Sequence, residues 1–125
     1  MKTLRDLIIE FIDQDDDAKA WGSDPDEFES VDADCHPMST RFRDFLIRNH
    51  RDARLVELEC SSPIDTMVGP YHAVVETDGL CVDWTARQFY NVLNFRLAYD
   101  EIPCPLIFVA GGPYPLPDII ISEEA

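Results

Sequence analysis

The chain has no apolar run approaching the roughly 20 residues that cross a bilayer as a helix. Its opening stretch, MKTLRDLIIEFIDQ, has its apolar residues interrupted by Arg5, Asp6 and Glu10. No small-residue cleavage site follows, so the stretch does not read as a secretory leader. Both absences lead to the expectation of a soluble, cytoplasmic protein. Basic residues are also scarce, 10 against 25 acidic ones, for a formal net charge of −15. Such a surface repels phosphates and anionic head groups, which argues against direct nucleic-acid binding and against a membrane partner. Close cysteine pairs are missing too. Cys35, Cys60, Cys81 and Cys104 are each separated by more than 20 residues, with no C-x-x-C pair among them. That spacing does not nucleate a structural zinc site. Without a leader it does not imply a disulfide framework either, and no cofactor is expected. There are no internal repeats.

What is present is the balance of a globular protein: 46% hydrophobic and 28% charged residues in a chain of 125, the size of one domain. Leu4, Leu7, Ile8, Phe11 and Ile12 fall on one face of an amphipathic helix over 3–14, with Thr3 as its N-cap. From 13 to 34 the composition turns strongly acidic, and Gly22, Ser23 and Pro25 punctuate it. This reads as an extended connection with a short helical turn near 25–29. Asp13, Asp15 and Asp17 imitate the start of a calcium loop. However, Ala18 stands where the sharp turn demands glycine, and Asp24 where a bidentate glutamate belongs. A second helix is predicted over 37–48, opened by Pro37 and buried through Met38, Phe42, Phe45 and Leu46. Residues 53–59 read as a strand, 61–70 as a loop, 86–97 as a helix and 105–110 as a strand. The tail from 113 to 125 is proline-rich and acidic, either a strand or loosely held. The fold class expected is α+β, a single domain over 1–125 with N-terminal helices packed on a small antiparallel sheet.

The chemistry is concentrated in one hairpin. Asp78-Gly79 is a strong signature for a two-residue type I′ turn. With that turn, residue 77 faces residue 80, and His72, Val74 and Glu76 share a face with Cys81, Asp83 and Thr85. Ala73, Val75, Leu80, Val82 and Trp84 make the other, apolar face, with Trp84 in the core. Asp83 then stands diagonal to His72, close enough for a carboxylate to hold an imidazole nitrogen. A slip of one residue in register would separate them.

Cys35 supplies the candidate nucleophile. It stands just before Pro37, and a thiol at a helix N-terminus is favoured as thiolate by the positive end of the dipole. Set over the face that carries His72 and Asp83, it would complete a Cys–His–Asp triad. His36, beside Cys35, is a rival base, although sequence neighbours at a helix start point apart. His50 reads as a helix C-terminal residue, and Cys81 as either site-lining or packed.

DCHPMSTRFRDFL followed by HAVVETDGLCVDWTARQF resembles the papain-like and transglutaminase-like thiol superfamily, over residues 33–90. Its unpermuted members place a cysteine at a helix start, then a histidine on a strand, then Asp or Asn on the next strand. The resemblance implies a papain-like core, Cys35 as nucleophile, His72 as general base and acid, and Asp83 as orienter. The chain departs from the peptidase pattern at the oxyanion site. No glutamine stands a few residues upstream of Cys35, and Gln14 is far back. Pro37 also removes one N–H from the helix start, and Gln88 lies beyond Asp83.

Two functions are therefore expected in turn. The first is a thiol-dependent enzyme acting on an amide or acyl bond: a cysteine peptidase, a glutamine deamidase or an acyltransferase. Its substrate would be a protein or amine of basic character, drawn by the acidic 13–34 segment. The second is a non-catalytic acidic protein that binds a basic partner, including a mimic of nucleic acid.

Overall fold

Thr3 starts the first helix, α1 (Leu4–Gln14), as expected. Its hydroxyl accepts the Asp6 N–H at 3.1 Å, and the Asp6 carboxylate accepts the Thr3 N–H at 3.3 Å. This reciprocal cap satisfies two N–H groups that a helix start otherwise leaves unpaired. Residues 2–22, 35–61, 71–87, 101–115 and 120–123 are described by the computed structural model. The side chains of Cys35, residues 59–61, Tyr71 and residues 120–123 lie outside that description.

The acidic connection is not extended where it begins. Asp16–Trp21 form a second helix, α2. Asp15 ends α1 and caps α2, its side chain accepting the Ala18 N–H at 2.9 Å. Asp16 and Asp17 then stand in the first turn, where the helix dipole favours negative charge. Ala18 and Trp21 are buried and fasten the turn to the core. Charge run and helix start are here one feature, which a reading by composition alone does not separate. The turn predicted at 25–29 lies outside the described residues.

The third helix, α3 (Cys35–Arg48), begins two residues before Pro37. Proline is tolerated there because first-turn N–H groups have no intrahelical partner. The helix ends at His50, whose φ of 64° is left-handed. His50 N–H bonds to the Ile47 carbonyl and Arg51 N–H to the Leu46 carbonyl, each at 3.0 Å. That pair of bonds is a Schellman cap.

Five strands follow among the described residues: β1 (Arg54–Ser61), β2 (Tyr71–Thr77), β3 (Leu80–Asp83), β4 (Leu106–Val109) and β5 (Ile120–Glu123). They make one sheet in the order β4-β3-β2-β1-β5, with every neighbouring pair antiparallel. The α+β class with helices on an antiparallel sheet is therefore the observed one. Part of the tail is a strand, since β5 pairs with β1. Residues 84–87 form a turn, and the rest of the helix predicted at 86–97 lies outside the described residues.

Both faces of the sheet are covered over β2 and β3, while Ile107 and Val109 of β4 are exposed on the helix side. On one, Val75, Val82 and Trp84 pack with Phe11, Phe42 and Phe45 of the helices. The Phe11, Phe42 and Trp84 rings stand 5.0 to 5.2 Å apart, centre to centre, in tilted and edge-on contacts. On the other face, Val56, Leu58, Val74 and Cys81 form a smaller cluster, with Phe108 and Ala110 packed against it.

Candidate functional site

Asp78 (φ 51°) and Gly79 (φ 78°) both adopt the left-handed conformation that a type I′ turn requires. The turn sets the register expected from the sequence: Thr77 opposite Leu80, Glu76 opposite Cys81, Val75 opposite Val82. His72 and Asp83 consequently share a face, and they touch. His72 Nε2 lies 2.7 Å from Asp83 Oδ2, with both side chains 0% exposed.

A buried carboxylate is costly unless donors surround it. Asp83 has three. Besides His72, the Thr85 N–H donates to Oδ1 at 3.1 Å, and the Tyr114 hydroxyl donates to Oδ2 at 2.5 Å. The Tyr114 ring meets the His72 ring edge-on, at 6.3 Å and 82°. On the far side of His72, Leu58 is its partner in β1. The result is an imidazole held by a carboxylate that is itself fixed at both oxygens.

Cys35 is the first residue of α3, and α3 runs alongside β2 in the same direction. Ser39 Oγ donates to the Ala73 carbonyl at 3.0 Å, while Thr77 Oγ1 donates to the Asp52 carbonyl at 2.8 Å, just past the end of the helix. Cys35 stands one turn before Ser39, about 6 Å further along the axis. The helix start therefore lies toward the end of β2 where His72 stands.

One expectation needs correction. Cys35 was to lie over the face carrying His72 and Asp83, but α3 covers the opposite face, with Met38, Phe42 and Leu46 in the cluster of Val75, Val82 and Trp84. The reason is hydrophobic: the apolar stripe of α3 seeks the larger apolar surface, and His72 and Asp83 interrupt the other one. The helix start and the pair stand near the same end of β2 but on opposite faces of the sheet. The Cys35 thiol itself lies outside the described side chains.

The remaining candidates separate clearly. His36 Nε2 lies 3.2 Å from Glu57 Oε1, on the helix-bearing side of the sheet. Cys81 packs in the smaller apolar cluster. Cys104 is pushed up to about 12 by burial, which makes its thiol unreactive at neutral pH. Cys60 and Gln88 fall outside the described side chains, and Gln14 is exposed at the end of α1. Asp15 and Asp17, of the calcium-like run, both pair with Arg41 at 2.9 Å. Among the described residues no group of three His, Cys, Asp or Glu side chains could hold a metal ion. No described helix is long and apolar enough to cross a membrane.

Tyr114 is the site residue the sequence did not reveal. It lies in PYP, after Gly111-Gly112 and far from the hairpin in the chain, and only the path of the chain from β4 to β5 brings it to Asp83. The Thr85 hydroxyl on the same face is buried with no hydrogen-bond partner among the described residues.

No family model, curated protein or solved structure matches the chain.

Proposed function

We propose that the protein is a thiol enzyme with a papain-like or transglutaminase-like core, acting on an amide or acyl bond through Cys35, His72 and Asp83. The observation that carries this reading is the buried His72–Asp83 hydrogen bond at 2.7 Å, with the carboxylate fixed by two further donors. Asp83 occupies Nε2, which assigns proton transfer to Nδ1. The helix start at Cys35 lies toward the same end of β2, and its dipole favours thiolate.

In the reaction, the Cys35 thiolate attacks the substrate carbonyl carbon. The C–S bond forms as the carbonyl π pair moves to oxygen. Collapse of that tetrahedral species breaks the bond to nitrogen, and His72 gives its proton to the departing amine. Water, or an acceptor amine, then loses a proton to His72 and attacks the thioester. That step releases the acid or the new amide and restores the thiol pair. Asp83 holds the imidazole throughout and balances its charge as imidazolium. The net charge of −15 favours a basic protein or amine substrate, whose binding weakens as salt is added.

Iodoacetamide labelling of the whole chain, read by peptide mass spectrometry, tests the proposal. Cys35 is expected to react roughly tenfold or more faster than Cys60, Cys81 or Cys104, and to keep that lead below pH 7. His72→Ala is expected to remove the lead. Equal, slow labelling of all four overturns the enzyme reading.

The complete burial of His72 and Asp83 favours a second reading. A polar pair sealed in a sheet also serves to fix strand register. The protein would then be a non-catalytic acidic module for a basic partner, including a mimic of nucleic acid. Salt-sensitive capture by a polycation without any fast-reacting thiol distinguishes this case.

A further inference from the structure

We infer that Tyr114 is a positioning residue for the His72–Asp83 pair, carried to it by the segment that follows β4. The inference rests on the reading of that pair as catalytic. The described part of this segment runs over the face that holds the pair: Ala110 packs on the Val56, Leu58, Val74 and Cys81 cluster, and Tyr114 reaches Asp83. The Tyr114 ring is seated edge-on against Phe108, at 5.2 Å and 82°.

The position of the hydroxyl gives it a specific task. Asp83 Oδ2 is shared between Tyr114 and His72, at 2.5 and 2.7 Å. Tyr114 therefore fixes the rotation of the carboxylate. It also draws off part of the negative charge that would otherwise hold the His72 N–H alone. Removing the hydroxyl leaves that charge to His72, so the imidazolium becomes easier to form. At the same time the carboxylate loses one of the contacts that aim it.

Tyr114→Phe isolates this effect, because the ring stays and only the O–H is lost. In the whole protein, His72 is followed by its ring signals in NMR, assigned with His36→Gln and His50→Gln among the three histidines of the chain. The variant is expected to raise the pH midpoint of His72 titration and to shift its ring N–H signal. The fast labelling of Cys35 is expected to drop about two- to tenfold, with its alkaline limb moved to higher pH. A tyrosine that only packs its ring, with no hold on the Asp83 charge, would leave the His72 titration where it was. An unchanged His72 titration and N–H signal in Tyr114→Phe overturns the inference. The two proposals fail separately: slow Cys35 labelling in the wild type removes the enzyme reading, while the His72 titration still decides whether Tyr114 governs the pair.

Discussion

Over β2 and β3, the face of the sheet that meets the helices and the face that carries His72 and Asp83 are both buried, but by different means. The first is filled by Val75, Val82 and Trp84 against aromatic side chains from α1 and α3. Its packing is apolar and its tolerance is high, since similar volumes can replace one another. The second sets an imidazole, a carboxylate and a tyrosine hydroxyl among Val56, Leu58, Val74 and Cys81. His72 Nε2, both Asp83 oxygens and the Tyr114 hydroxyl each have a named partner there, so substitution is costly in a directional way. The difference separates what folds the chain from what the proposed chemistry needs.

The apolar face breaks with the largest loss. Phe42 is fully buried and touches the Phe11, Phe45 and Trp84 rings. Phe42→Ala is expected to cost about 3–5 kcal/mol in urea unfolding, with the His72 titration unchanged in the fraction that folds. A loss below about 1 kcal/mol would mean that the helices are not clamped to the sheet through this ring.

A smaller loss is expected on the polar face, with a larger chemical effect. Asp83→Asn keeps the shape but replaces one acceptor oxygen by a donor, set against the donors of His72, Thr85 and Tyr114. The stability cost is about 1–3 kcal/mol. The fast alkylation of Cys35 should be lost almost entirely, because the imidazolium no longer has its counter-charge. Retained fast alkylation would show that Asp83 serves the fold alone.

The two faces were also unequally legible in the sequence. The hairpin could be read because Asp78-Gly79 determines a register, and a register determines which residues share a face. His72 and Asp83 follow from that without tertiary information. The apolar residues of α1 and α3 could be read for a similar reason, their period of 3.6. Two things could not be read. The side of the sheet that α3 covers is a competition between two surfaces, and periodicity in the helix does not decide it. Tyr114 depends on where the chain runs after β4, a long-range relation with no local signature. Helix α2 was hidden differently, since its capping aspartates looked like one more part of a solvated charge run.

The smallest change sharpens the comparison by strengthening the helix layer alone. His50 holds a left-handed φ of 64° to close the Schellman cap of α3. Left-handed backbone costs an ordinary L-residue roughly 1–2 kcal/mol, and His is among the types that adopt it more often. Glycine removes that strain but gives the unfolded chain more freedom, worth about 0.5–1 kcal/mol the other way. His50→Gly is thus expected to stabilise the protein by about 0.5 kcal/mol. The bonds of Arg51 to Asp78 and of Thr77 to Asp52, which tie the helix end to the hairpin, do not involve the His50 side chain. Stability should therefore rise with no movement of the His72 titration or of the Cys35 labelling rate. A change in either would show that the end of α3 and the polar face are mechanically joined through the hairpin, and the two faces would then have to be treated as one unit.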